Sequence, residues 1–299
     1  MPTPKTILFA LLTVVALTFA AAWAGELRRR RQWAWPRPWE LLVGFVTDFF
    51  DALGIGSFAT TTTLYRLSKS VPDEQIPGTL NVGHCLPTFV QAIVFSEVVA
   101  VESTTLVTLI AASVLGSWLG AGFVTRMPRR QIQWGMGTAL AVAAALMIAR
   151  NSGFFPAEGE LPAEGAAAAI SGGKLVAGAI ACFVFGALMT IGIGAYAPIM
   201  ILVSLLGMNP KTAWPIMTGA CAFLMPTCGI RFIRAGAYSP RAALGLTLAG
   251  IPAVFVAAPL LNRLPISSVR WLVAAIVAYT AWGMIRAAMR ETASQQQQP

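Results

Sequence analysis

Charge is scarce in this sequence. Of its 299 residues only 11% are Asp, Glu, Lys or Arg, 57% are hydrophobic, and the mean hydropathy is +0.70. A soluble domain carries roughly a quarter charged residues, so this composition excludes an ordinary water-solvated globule and points to lipid. Histidine is nearly absent: His84 is the single one, which rules out a histidine metal cluster. Cysteine is sparse too. Cys85, Cys182, Cys221 and Cys228 all fall in apolar segments without metal-ligand spacing, so neither a disulfide framework nor a zinc site is expected. They read as small buried core residues.

What is present are long charge-free runs. Ile7–Gly25, Gln75–Ser96, Ser103–Thr125, Gln131–Ala149, Thr212–Ile230 and Ala242–Asn262 are each long enough to cross a bilayer core of about 30 Å at about 1.5 Å per residue. Trp271–Ile285 is shorter and gains length from the apolar residues before it. The net charge of +9 could suggest a nucleic-acid partner, but the basic residues gather at helix ends, as in Arg28–Arg31 and Arg126-Met127-Pro128-Arg129-Arg130. That is the positive-inside pattern of a membrane protein, and no nucleic acid is expected. Trp39, Trp134, Trp214, Trp271 and Trp282 lie near span ends, as an interfacial belt requires. Thr6–Ala24 resembles a signal peptide, but its arginines follow the apolar run instead of preceding it. It reads as a retained helix with its N-terminus outside.

The chain repeats itself. Gly54-Ile55-Gly56-Ser57-Phe58-Ala59-Thr60 returns 138 positions later as Gly192-Ile193-Gly194-Ala195-Tyr196-Ala197-Pro198. Arg126-Met127-Pro128 with Trp134 returns as Arg263-Leu264-Pro265 with Trp271, and Gly83-x-Cys85 as Gly219-x-Cys221. The expected organisation is an N-terminal transmembrane helix and basic linker (1–38), repeat 1 (39–150), an external linker (151–173), repeat 2 (174–290) and a low-complexity disordered tail (291–299). Leu175–Pro210 has 36 residues without a charge. As one helix that is about 54 Å, longer than a bilayer, and as two spans it is too short. A hairpin broken at its glycines fits, and Trp39–Leu67 reads the same way; kinked full spans are the alternative.

With both hairpins re-entrant, 15 of the 21 basic residues fall on the cytoplasmic side, which also holds the C-terminus. Each unit then has a broken helix followed by three transmembrane helices, an odd number of crossings, so the second unit is inverted. The expected fold is thus an all-α integral membrane protein of two inverted repeats, an architecture suited to alternating access.

Polar residues inside apolar segments are costly and mark candidate sites. Asn81, His84, Thr88 and Gln91 recur at three- and four-residue spacing on one helical face, and Pro87 frees a carbonyl in that helix. The face suits either substrate lining or interhelical hydrogen bonding. Three roles are open to His84: proton carrier, anion contact, or satisfied core group. Gly56, Ser57 and Thr60, with the neighbouring threonines Thr61–Thr63, follow the first break; Gly194 and Tyr196 hold the same place in the second. Hydroxyls and free N–H groups at a half-helix N-terminus suit an anion, whereas glycines that only allow close packing are the plain alternative. Asp48 and Asp51 precede the first break and read equally as proton carriers or as a helix cap and a water-facing group. No catalytic residue, metal or cofactor is called for, and a membrane enzyme is disfavoured by the single histidine.

The two Gly-Ile-Gly segments, together with Gly78-Thr79-x-Asn81-Val82-Gly83-His84-x-Leu86-Pro87-Thr88, resemble the TauE/SafE sulfite exporter family, also called the 4-toluene sulfonate uptake permeases, over residues 39–290. The resemblance implies a bacterial inner-membrane transporter of small sulfur-containing anions: sulfite, sulfonates, sulfoacetate or thiosulfate. A channel or transporter for a non-sulfur substrate is the alternative. Ala220 stands where His84 would recur and Pro198 where Thr60 would, so site residues do not carry over between the halves by symmetry.

Overall fold

The computed structural model describes residues 4–53, 55–95, 101–154, 169–192, 194, 196–208 and 212–260, and 271–289 in part. The elements are α1 (Pro4–Arg29), α2 (Pro38–Ala52), α3 (Ser57–Ser68), α4 (Ile76–Gly83), α5 (Cys85–Phe95), α6 (Ser103–Val124), α7 (Arg129–Asn151), α8 (Gly172–Met189), α9 (Tyr196–Leu205), α10 (Ala213–Ala235) and α11 (Pro240–Ala257). The described positions within 271–289 are helical as well. Among the described residues, six helices are long and apolar enough to cross a membrane: Phe9–Arg29, Ser103–Val124, Arg130–Ala149, Gly172–Met189, Pro215–Ala235 and Pro240–Ala257. Most of the expected external loop and the whole tail lie outside the described residues.

Helix ends follow local chemistry. Pro38 and Pro240 open α2 and α11, where a missing N–H costs nothing. Glu102 caps α6 by accepting from Thr104 N (2.9 Å) and Thr105 N (2.7 Å), which lowers its carboxyl to about 2. Gly236 closes α10 in the left-handed conformation, at φ 67°.

One expected span is divided. The charge-free run 75–96 forms two short helices, α4 and α5, joined at His84. Backbone bonds from His84 N to Leu80 O and from Thr88 N to His84 O, both 3.0 Å, carry the chain through the joint. Pro87 has no N–H to give Gly83, and Thr247 Oγ1 of α11 donates to that carbonyl instead, at 2.7 Å.

α10 forms the middle of the bundle: 78% of its apolar window is buried, against 22% for α1 and α8. The contacts also give helix directions. α2 and α11 run parallel, with Glu40 on Arg241 (2.9 Å), Gly44 against Gly245 and Leu246, Asp48 against Gly250, and Ala52 by Ala257. α11 is parallel to α4–α5, pairing Thr79 with Ser239 and Gly83 with Thr247. α10 is antiparallel to α4–α5, since Gly78 meets Phe232, Asn81 meets Cys228 and Thr88 meets Met225. α6 is parallel both to α10, through Ser117 on Leu224 and Gly122 by Arg231, and to α8, through Gly116 on Phe183 and Gly120 on Ala187. Absent side chains let these backbones touch: a Cβ at Gly116 or Gly186 would overlap the carbonyl of Phe183 or Ser113.

Two further bonds bring the ends of each broken pair together. Trp39 Nε1, in the first turn of α2, donates to Ser68 Oγ at the end of α3 (3.2 Å). Lys174 Nζ, at the start of α8, donates to Leu206 O just beyond α9 (3.1 Å). In both cases the chain doubles back at its glycine break.

Candidate functional site

The backbone at both breaks takes a form that only glycine adopts freely. Gly56 has φ 90° and Gly192 φ 98°, so the helices cannot continue through them. Gly54, Ile193 and Ala195 lie outside the described residues, as does the side chain of Tyr196, whose backbone opens α9. The two breaks border one small cavity of about 40 Å³. Asp51, Gly56, Ser57 and Phe58 line it from the first hairpin, Met189 and Gly194 from the second, Thr88 and Gln91 from α5, and Met217, Thr218, Cys221 and Met225 from α10. A water needs roughly 10–15 Å³ of such space, so the cavity has room for a small group of a few atoms.

The expected polar face of the Asn81–Gln91 segment divides. Thr88 and Gln91 reach the cavity, whereas Asn81 and His84 do not line it. Asn81 is fully buried: its Nδ2 donates to Pro77 O (2.8 Å) and Met189 O (3.3 Å), and its Oδ1 accepts from Cys228 Sγ (3.1 Å). It ties α4 to α8 and α10. His84 is fully buried as well, with Nδ1 2.9 and 3.0 Å from the two Asp48 oxygens and Nε2 2.9 Å from Thr61 Oγ1. Phe58 touches both this chain and the cavity, its ring centroid 5.9 Å from that of His84.

The threonines mostly bond within their own helix. Thr60 Oγ1 turns back to Ser57 O (2.8 Å) and Gly56 O (3.1 Å), and Thr63 Oγ1 to Ala59 O, so neither points into the cavity. Thr62 Oγ1 is buried without a hydrogen-bond partner among the described residues, and the space a Cβ on Gly192 would take lies against it.

Asp51 dominates the electrostatics. Its Oδ1 accepts from Ser57 N (2.6 Å) and its Oδ2 from Gln91 Nε2 (2.8 Å). It is half-buried and caps the N-terminus of α3 from the cavity wall. Asp48 is fully buried and does not cap a helix end; it holds His84. Asp51 is the only charged side chain lining the cavity among the described residues.

Composition reading missed the contribution of α10. Met217, Cys221 and Met225 are spaced by four and share one helical stripe. Methionine reads as core filler in a sequence, yet Gly219-x-Cys221 echoes Gly83-x-Cys85 and marks α10 as counterpart of the helix carrying Thr88 and Gln91.

Fold and site together define a multi-pass helical membrane protein whose broken helices enclose a small, partly polar cavity. Residues 3–147 match the model of the sulfite exporter TauE/SafE family, a family of membrane transporters. That match takes in α1, which the motif resemblance had left aside, and it stops before the second Gly-Ile-Gly segment. Neither the comparison with curated proteins nor that with solved structures gave a match.

Proposed function

We propose that this protein is a secondary transporter, and not an enzyme, that exports a small sulfur-containing anion such as sulfite, thiosulfate, sulfoacetate or another sulfonate by alternating access. The observation that carries the reading is the single cavity bordered by both glycine breaks. Paired breaks in corresponding halves are where transporters of this architecture bind substrate.

Helix directions support two inverted units, 39–150 and 174–290. The sequence echo pairs α2 with α8, α4–α5 with α10 and α6 with α11, and within each pair the contacts give opposite senses. Doubling back at each break supports re-entrant hairpins whose non-helical backbone is sheltered by protein. The ends joined by Arg30 to Arg234 O, Arg66 to Asp73 and Arg241 to Glu40 gather basic residues on one face of the bundle. We take that face as cytoplasmic, in a bacterial inner membrane, with the N-terminus outside.

In this reading Gly56, Ser57, Thr88, Gln91 and Gly194 contact the anion, and Tyr196 opens the half-helix whose N-terminus faces it. Thr60 and Asn81 shape the breaks from behind. An anion entering the cavity meets the Asp51 carboxylate, and Asp51 holds the Ser57 N–H that the anion would use. Protonation of Asp51 removes the repulsion, so we assign it the coupling proton. Asp48 and His84, hydrogen-bonded to each other one turn back along α2, form a second proton-holding pair.

The same carboxylate favours one other reading, a carrier or channel for a cation. A thermal-shift panel on purified protein decides between them, using sulfite, sulfate, thiosulfate, taurine and divalent cations. Stabilisation by sulfite or thiosulfate is expected; stabilisation by cations alone rejects the anion carrier.

A further inference from the structure

The cavity has two unlike walls. On one side, from α3 and α5, Ser57, Thr88 and Gln91 bring hydroxyls and an amide, the Thr88 hydroxyl donating to His84 O at 2.8 Å and the Gln91 amide to Asp51. On the other stand four sulfur side chains, Met189 at the end of α8 and Met217, Cys221 and Met225 along one stripe of α10. Cys221 Sγ and Met189 Sδ are 3.9 Å apart, so these two sulfurs are in contact. Thr88 Oγ1, 3.5 Å from Met225 Sδ, marks the border between the walls. A thioether has no hydrogen to donate and a thiol donates weakly, whereas both are soft and polarisable.

We propose, building on the anion-carrier reading, that the sulfur wall is the specificity element of the site: it admits an anion with oxygens at one end and a bare or soft apex at the other, and it rejects fully oxygenated tetrahedral anions. The oxygens face the hydroxyl and amide wall. Whatever forms the fourth vertex faces Met189, Met217, Cys221 and Met225. In sulfite that vertex is the sulfur lone pair, and in thiosulfate a terminal sulfur. In sulfate or phosphate it is an oxygen stripped of its water hydrogen bonds and given nothing in return. An unsatisfied buried acceptor of this kind weakens binding by about tenfold to a hundredfold. The cavity size adds a second limit. At about 40 Å³ it is too small for an aromatic sulfonate in the state described.

Thiosulfate and sulfate are the discriminating pair, because both are tetrahedral dianions that differ at one vertex. Their affinities are measured by isothermal titration calorimetry on the full-length protein in detergent, for the native chain and for Met217→Gln and Cys221→Ser. The native protein is expected to prefer thiosulfate at least about tenfold. Either variant, by placing a hydrogen-bond donor on the sulfur wall, is expected to gain sulfate affinity and shrink that preference. Equal binding of the two anions by the native protein overturns the proposal and leaves the anion carrier standing. A preference undiminished in both variants overturns the role of the sulfur wall. Failure of the native protein to bind thiosulfate, sulfite and sulfate alike overturns the anion carrier and this proposal together.

Discussion

Replacing Asp51 by asparagine separates the charge of this side chain from its hydrogen bonds. An asparagine Oδ1 still accepts from Ser57 N, and a rotated Gln91 amide can pair with its Nδ2, so the α3 cap and the link to α5 survive. What disappears is one negative charge on the wall of a cavity of about 40 Å³. An anion at the centre of so small a space sits about 5 Å from the carboxylate. At an effective dielectric constant of about 20 the repulsion is about 3 kcal/mol for each negative charge on the anion, on the order of a hundredfold in affinity for a monoanion and more for a dianion.

Thiosulfate is the suitable probe, because its own charge is constant across neutral pH. Native protein is expected to bind it more tightly as pH falls, since protons taken up by Asp51 relieve the repulsion. The slope should approach tenfold per pH unit over the range where Asp51 is ionised in the free protein and protonated in the complex. Asp51→Asn should bind thiosulfate at least about a hundredfold tighter at alkaline pH, with most of the slope gone. The other titratable groups facing Asp51 are Asp48 on its own helix, His84 at the α4–α5 joint and Cys221 on α10. His84→Gln therefore serves as the control and should retain most of the slope. If Asp51→Asn weakens binding, or binds more tightly yet keeps the native pH dependence, the carboxylate does not oppose the substrate and the proton assignment is refuted.

Other outcomes follow from packing. Thr247→Val strands the Gly83 carbonyl and should cost about 1–3 kcal/mol, read as a lower melting temperature in detergent. Adding Pro87→Ala restores a backbone donor and should recover part of that loss, a non-additivity that a double-mutant cycle measures. Gly250→Ala drives a methyl group into the Asp48 carboxylate and Pro87, and should destabilise by about 1–3 kcal/mol. Gly186→Ala, which would collide with Ser113 O, should loosen α6 from α8 by a similar amount and show it as faster hydrogen exchange in both helices.

Much of this was legible in the amino-acid sequence, for identifiable reasons. Lack of charge over twenty residues has one common physical solution, and five of the charge-free windows became long helices or their cores. The breaks were visible because Gly56 and Gly192 take positive φ, which other residues avoid. Pro87 announced a free carbonyl, but not that Thr247, 160 residues away along the chain, would satisfy it. Run 75–96 looked like one span because hydropathy does not register a joint at His84. The aspartates were harder. Asp48 and Asp51 stand three residues apart on one helix, and only the packing of α3, α5 and the α4–α5 joint decides that one meets His84 and the other Ser57 and Gln91. The hydroxyls of Thr60 and Thr63 looked available but are spent on their own helix. Met217 and Met225 could not be told from core filler, since a methionine beside a cavity and one inside a core look alike in sequence.

The central claim, that one small anion sits between the two glycine breaks, is tested most directly by filling that space. Among the described residues a Cβ on Gly194 would meet only Phe58, at 3.7 Å, so the position has room for a methyl group. Sulfite binding is measured by calorimetry for Gly194→Ala and Gly194→Leu, with melting temperature as the check on folding. The account predicts that alanine retains binding and leucine abolishes it in a protein that still melts cooperatively near the native temperature. A folded Gly194→Leu protein that binds sulfite as tightly as the native chain contradicts it.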